Sequence, residues 1–301
     1  MSIRPVKRVV EATPHMEGAG VKLHRGFGFG DTNEFDPFLL FDDFRNERPD
    51  DYLAGFPWHP HRGIETITYV LAGTVAHGDS LGNRGSLGAG DVQWMTAGSG
   101  IMHQEMPQGD AQGRMHGFQL WANLPRALKM TAPRYQDIQA NDIPEITDDD
   151  GTHVRVVVGD FWGKKGPVEG VAADPRYLDI SVAPNQTKRL AVENSRHAFA
   201  YVFAGSGSFR DASKPLPVQT ELVGVSDEAT PSMLGNRSLV VFDSGDEITV
   251  TAGDEGVRFL LVSGRPLQEP VAWYGPIVMN ERSELQQAYA ELKNGTFIKH
   301  R

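Results

Sequence analysis

The 301-residue sequence predicts an all-β protein built as two β-barrel domains with a short C-terminal helix. Three observations predict it. Glycine (33) and proline (19) punctuate short β-like runs such as VVVGDFWG, YVFAGSGSF, LVVFDSGDEITVTAG and VRFLLVSG. Short strands between turn signals read as a sandwich or barrel. The two halves also repeat: Tyr69-Val-Leu-Ala-Gly73 precedes Gly90-Asp91-Val-Gln-Trp-Met-Thr96-Ala97-Gly98, and Tyr201-Val-Phe-Ala-Gly205 precedes Gly245-Asp246-Glu-Ile-Thr-Val-Thr251-Ala252-Gly253. Matches recurring in the same order favour duplication over coincidence between generic strand–turn–strand units. Finally, the clearest helical pattern is SELQQAYAELKNG, where Leu285, Tyr289 and Leu292 share a face, Ser283 and Gln286 read as a capping box, and Asn294-Gly295 stops the helix.

The barrels are expected over residues 1–137 and 138–301, with the C-terminal helix appended to the second. The length agrees with a prior of about two domains. The polar stretch QDIQANDIPEITDDDG, 136–151, reads as the connector. The paired segments lie further apart in the second half, which predicts an inserted loop over residues 210–237.

Bulk properties exclude several classes of function. The formal charge is −10 and no run of Lys or Arg exceeds two, so direct nucleic-acid binding through the phosphate backbone is not expected. A role at DNA would run through another protein. The chain has no cysteine, which excludes disulfides and thiolate ligands and leaves His, Asp and Glu as its metal-binding chemistry. No stretch approaches the roughly 18 apolar residues of a membrane span, and MSIRPVKRVVEATPHMEG lacks the apolar core of a signal peptide. The expectation is a cytoplasmic protein with no membrane partner.

The chemistry concentrates in WHPHRGIETITYVLAG, residues 58–73. Side chains alternate across a strand, so His59 and His61 point the same way. If the alternation survives Gly63, then Glu65, Ile67, Tyr69 and Leu71 share that face while Thr66 and Thr68 face away. In GSGIMHQEMP, 98–107, His103 and Glu105 repeat the spacing. On neighbouring strands the two pairs bring His59, His61, His103 and Glu105 to one point. This set has too little thiolate for a structural zinc site and too much nitrogen for calcium. It is a 2-His-1-carboxylate arrangement with one extra imidazole, and on an octahedral ion it leaves open positions for substrate or dioxygen. A buried polar cluster or a surface histidine pair would use the same residues. The repeat bears on this choice: Ala191 and Glu193 fall where His59 and His61 sit, and Arg258 and Leu260 where His103 and Glu105 sit. The second barrel therefore carries a degenerate site and a supporting role.

The residues also carry a resemblance. Asp36-Pro37-Phe38-Leu39-Leu40 with Asp42 and Phe44, Phe56-Pro57, His59-Pro60-His61-Arg62-Gly63 with Glu65-Thr66, GDVQWMTAGSGIMHQEMP, Phe118-Gln119-Leu120-Trp121, Asn123-Leu124-Pro125, and Tyr274-Gly275-Pro276 with Val278-Met279-Asn280 together resemble the pirins, a two-domain family of the cupin superfamily. The resemblance implies a bicupin, two barrels side by side. The first would hold one divalent ion, Fe(II) foremost with Zn, Mn, Ni, Cu or Co as alternatives, through His59, His61, His103 and Glu105. It withdraws Glu65 as a ligand. Trp58 stands where family members often have a small or acidic residue, and FRNERPDDYLAG is longer than the family pattern.

Two functions follow from that resemblance. One is a quercetin 2,3-dioxygenase-like oxidoreductase, opening a flavonol-like small aromatic substrate with dioxygen and loss of carbon monoxide. Glu105 would then be ligand and base, and Phe56, Asp42 and Gln119 match positions near the cavity. Ordinary packing is the plain alternative for each of those three. The other is a metal- or redox-sensing regulatory protein that binds a transcription factor or metabolic enzyme as its partner without turnover. An open apolar pocket at the metal separates the two. The remaining histidines, His15, His24, His77, His116, His153, His197 and His300, read as surface or structural, and Trp94 and Trp121 as core.

Overall fold

A computed structural model describes residues 2–210 and 233–300. Strands dominate it, and the chain forms two compact units. One comprises Ala12–Pro144, Val156–Arg176 and Gly264–Arg301; the other comprises Met1–Glu11, Glu145–Arg155 and Tyr177–Ser263. Both are discontinuous. Where the sequence shows one cut at 137/138, the chain crosses between units at 11/12, 144/145, 155/156, 176/177 and 263/264. The insertion expected over 210–237 falls largely on residues 211–232, outside the described residues.

The first unit holds two large antiparallel sheets and, among the described residues, two two-stranded ones, Asp160–Phe161 with Lys164–Lys165 and Ala272–Tyr274 with Ile277–Met279. A seven-stranded sheet runs Arg134–Ile138, Val92–Thr96, Ile64–Ala72, His116–Asn123, Phe38–Asp43, Val21–Phe27, Thr13–Glu17. A four-stranded sheet runs Phe56–His61, Ile101–Gln108, Thr74–Asp79, Arg84–Leu87. The strand Ile101–Gln108 alternates buried and less buried positions, so Ile101, His103 and Glu105 face inward, as a half-buried strand requires. Core packing comes from clusters including Val21, Leu23, Phe44, Val70 and Met115, and Leu39, Ile64, Met95 and Ile101. The second unit is built on an eight-stranded sheet in which Val6–Glu11 pairs with Ser238–Phe242, and Thr187–Ala191 with Glu247–Gly264. Tyr69 and Tyr201, the repeat's markers, are both fully buried; Gly73 follows the strand of the first, whereas Gly205 lies within the strand His197–Phe209 of the second. Among the described residues no helix is long and apolar enough to cross a membrane.

The structure corrects two local readings. The stretch 136–151 is more than a connector: Arg134–Ile138 pairs with Val92–Thr96, and Glu145–Thr147 with His153–Val158. The strand potential of Tyr135, Ile138 and Ile146 was hidden among acidic residues. The C-terminal helix spans Arg282–Lys293, and its capping box is Glu281 with Glu284, displacing Ser283 with Gln286. The Glu281 backbone donates to Glu284 Oε2 at 2.8 Å. Glutamate supplies the same reciprocal acceptor at the cap that serine was expected to provide.

The helix packs with Ile277, Met279 and Phe297 through Ala288. Glu291, on the same helix, sits among cations. Burial opposes its ionisation, but hydrogen bonds from Lys299, Gln287 and Arg62 bring its carboxyl down to about 2. The unfolded chain therefore binds more protons than the folded one between about pH 2 and the ordinary glutamate range. The stabilisation is complete above that range and is lost as pH falls through about 2. Glu291→Gln is expected to melt below the parent at about pH 6, with the gap narrowing as the pH falls toward about 3. A melting series by circular dichroism checks this, and a gap independent of pH would refute it.

Candidate metal centre

Two neighbouring strands build the site. Phe56–His61 pairs antiparallel with Ile101–Gln108 so that His103 lies opposite His59 and Ile101 opposite His61; a shift in register after His103 places Glu105 opposite Phe56. The i, i+2 spacing thus delivers both pairs to one face, as alternation predicts.

The side-chain atoms decide what the cluster can hold. His59 Nδ1 lies 2.9 Å from the Pro57 carbonyl oxygen and His61 Nδ1 lies 3.1 Å from that of Pro276. A carbonyl only accepts, so both Nδ1 atoms carry a proton, and Nε2 is the nitrogen each ring can offer to an ion. Those two Nε2 atoms face each other at 3.1 Å. His103 is buried with neither ring nitrogen hydrogen-bonded. Burial first, then the neighbouring His59 and His103, hold His61 well below the usual imidazole range. His103 is lowered in the same way, by burial and then by His59 and His77. Glu105 Oε2 stands 3.8 Å from both His59 Nε2 and His103 Nε2, and burial raises its carboxyl. Imidazoles that turn their Nε2 atoms toward one another beside a buried carboxylate leave a place for a positive charge. A divalent cation supplies it, and the donor set suits one. Among the described residues, His59, His61 and His103 are the one group of three or more such side chains placed to share an ion, their ligand atoms lying within 4.8 Å of one another.

Glu65 stands elsewhere. The strand bearing His61 ends there, Gly63 turns the chain, and Ile64–Ala72 belongs to the other sheet, so the alternation restarts. Glu65 is buried and accepts from Thr96 Oγ1 at 2.7 Å, and burial raises its carboxyl against the pull of Thr96 and Trp94. The expected facing of Thr68 is reversed too: it lines the cavity.

That cavity, about 770 Å³, reaches His59, His61 and Glu105. Phe56, Asp42 and Gln119 all line it. A polar row crosses one wall in register: Thr68 opposite Gln119, Gln119 opposite Asp42, and Asp42 opposite Arg25. Thr68 Oγ1 donates to Gln119 Oε1 at 2.7 Å, and Arg25 grips Asp42 with paired bonds of 2.8 and 2.7 Å. Burial raises the Asp42 carboxyl despite Arg25. The remaining walls are mainly apolar, with Val21, Leu23, Leu40 and Phe44 among them. Trp121, expected in the core, packs partly buried against the cluster of Leu39, Ile64 and Ile101, and it also lines the cavity with its ring edge-on to His61 at 5.0 Å. Its i, i+2 relation to Gln119 was the signal for that face. Trp273, Tyr274 and Pro276 also line the cavity, and only the fold brings them there. His77 is buried opposite Glu105 and 3.6 Å from Asp137.

In the other unit, the counterpart of His103 is committed differently. Arg258 makes bonds of 2.9 and 2.7 Å to Asp179 and lies over the Phe203 ring, while Leu260 is core.

Comparison with known proteins agrees with this geometry. The Pirin family model matches residues 20–122, and the model for the pirin C-terminal cupin domain matches residues 177–298. The chain belongs to the pirin family. This pirin is 41% identical over 298 residues to a pirin-like protein of Caulobacter vibrioides, covering 99% of this chain and 100% of that one. It is 38% identical over 293 residues to a pirin-like protein of Solanum lycopersicum, covering 97% and 92%. Among solved structures it is similar to a quercetin 2,3-dioxygenase of Acinetobacter baumannii, at a TM-score of 0.84 and 30% identity over 98% of this chain and 99% of that one. The chain has the bicupin architecture of this family, with one short C-terminal helix.

Proposed function

We propose that this pirin is a metal-dependent dioxygenase of the quercetin 2,3-dioxygenase type, acting on flavonol-like substrates. The observation that carries the reading is the cavity: a largely apolar space of about 770 Å³ that reaches His59, His61 and Glu105, with His103 grouped beside them. A purely regulatory protein needs no such space. Likeness to the Acinetobacter baumannii enzyme supports the same reaction class.

His59, His61, His103 and Glu105 would hold the ion, Fe(II) by preference, which when bound supplies Lewis acidity and electron exchange with dioxygen. The chain does the rest. Glu105 Oε2 takes the proton of the substrate hydroxyl, and its burial raises its basicity toward that task. Phe56 and Trp121 flank a planar ring, and the apolar walls exclude water. Gln119, whose Oε1 is occupied by Thr68, keeps its amide N–H groups to donate to a substrate oxygen. Asp42, gripped by Arg25, is an acceptor for substrate hydroxyls.

The test is oxygen uptake by anaerobically Fe(II)-loaded protein given quercetin, beside His103→Ala treated identically. Uptake by the parent, at least about a hundredfold above the variant, is expected, since general-base and ligand functions each contribute about that or more. Parent uptake no greater than the variant's, with iron bound, would sink the flavonol reading. It would leave the metal-sensing regulator, with its protein partner, as the function to pursue.

A further inference from the structure

The residues that follow His61 are enclosed by the last part of the chain. Arg62 is a cation 2% exposed. Its Nη1 lies 2.8 Å from Glu291 Oε2, its Nη2 donates to the Phe297 carbonyl at 2.8 Å, and its guanidinium lies 4.2 Å from the centre of the Phe297 ring. Its own carbonyl accepts from Val278 N at 3.1 Å. Lys129, equally buried, ties the Gly63 carbonyl at 2.8 Å to that of Val278 at 3.0 Å. The Pro276 carbonyl accepts from His61 Nδ1. Residues 61, 62 and 63 are therefore each bonded, directly or through Lys129, to the segment 276–297.

We infer that the C-terminal helix Arg282–Lys293, with the hairpin of Ala272–Tyr274 and Ile277–Met279 before it, is a positioning element of the metal centre: Glu291 fixes Arg62, and Arg62 holds the His61 ring in register with the Pro276 carbonyl. A ligating histidine takes its tautomer and orientation from the partner of its other nitrogen, and losing such a partner costs about 10–100-fold in metal affinity. Here that partner is a backbone carbonyl on a turn, so its position depends on what anchors the turn. A buried guanidinium deprived of its carboxylate cannot stay where it is without water or a new partner. Its backbone is adjacent to His61 on one side and to the pivot Gly63 on the other. The inference rests on His61 being a ligand, as proposed above.

Co(II) is the probe, because its visible spectrum reports coordination geometry and its affinity can be read by chelator competition without any turnover. Full-length parent, Glu291→Ala, Glu291→Gln, Arg126→Ala and His61→Ala are compared. Arg126 joins Glu281 at 2.7 Å and so anchors the same helix without touching residues 61–63. Glu291→Ala is expected to bind Co(II) about 10–100-fold more weakly, with altered absorption bands. Glu291→Gln should fall between it and the parent, because its amide oxygen still accepts from Arg62. Arg126→Ala should keep the parent's spectrum and affinity even where its melting temperature drops. Equal affinities in the Glu291 and Arg126 variants, whether both are lowered or both unchanged, would overturn the inference. If Glu291→Ala does not fold, Glu291→Gln against Arg126→Ala decides by the same criterion. The two readings fail separately. Parent-like binding by His61→Ala would remove His61 as a ligand, whereas loss in His61→Ala alone would remove only the positioning role.

Discussion

His61→Ala is expected to abolish the response of the protein to divalent metal. Saturating Fe(II) or Co(II) should raise the melting temperature of the parent by several degrees and leave the variant unmoved. An ion that binds only the folded state stabilises it by about 2.7 kcal/mol at a hundredfold excess over Kd. In a chain of this size that amounts to at least several degrees. The size of the effect follows from geometry. His61 is 2% exposed, its Nδ1 is committed to Pro276, and its Nε2 faces His59 Nε2 at 3.1 Å. Two Nε2 atoms at that distance need a proton or a cation between them. Without metal, the variant should therefore be as stable as the parent or slightly more so, despite the space left by the imidazole. Differential scanning calorimetry with and without metal measures both halves. A variant that loses stability without metal and still gains it with metal would show that His61 is a packing residue. The pH course carries a second check. Burial and the neighbouring imidazoles depress His61 and His103 below the usual range, so both remain neutral, and able to ligate, into mildly acidic solution. Metal stabilisation in the parent should persist below about pH 6.

What the sequence discloses, and what it hides, divides at Gly63. Within one strand, alternation is a rule of local geometry, and it places His59 with His61 and His103 with Glu105 correctly. The rule fails for Glu65 because a left-handed glycine ends one strand and starts another in a different sheet. Sequence spacing counts residues and does not see such a turn. Trp121 shows the converse. Its face was legible from Gln119, but an aromatic residue on a strand packs as core in most settings, so its place beside His61 needed the partner strand. The contributions of Trp273, Tyr274, Pro276 and Glu291 were out of reach altogether. They return from more than two hundred residues away, and no periodicity spans that separation. The internal repeat was legible because turn and core demands recur in each copy, while the site was free to diverge, as Arg258 and Asp179 show.

Gly63→Ala is expected to be the most damaging single methyl addition near the site. Gly63 has φ +77, where a β-carbon is strained. That conformation alone costs about 1–2 kcal/mol. The added carbon would also run into the Val278 carbonyl oxygen. Relief requires Val278 to move, and Val278 holds the Arg62 carbonyl through its N–H and Lys129 through its oxygen. A displaced partner of a buried ammonium costs about 1–3 kcal/mol further. Together these come to about 2–5 kcal/mol, at the upper end of what single substitutions cost. Gly82→Ala is the control. Its φ is +90, but an added carbon there meets nothing within 4 Å, so it bears the conformational cost alone. Urea unfolding of both variants separates strain from collision. The expected result is a loss for Gly63→Ala at least twice that for Gly82→Ala, with weaker metal binding only in the former. Equal losses would mean that the contact with Val278 relaxes at no cost. The turn after His61 would then owe its glycine to backbone conformation alone.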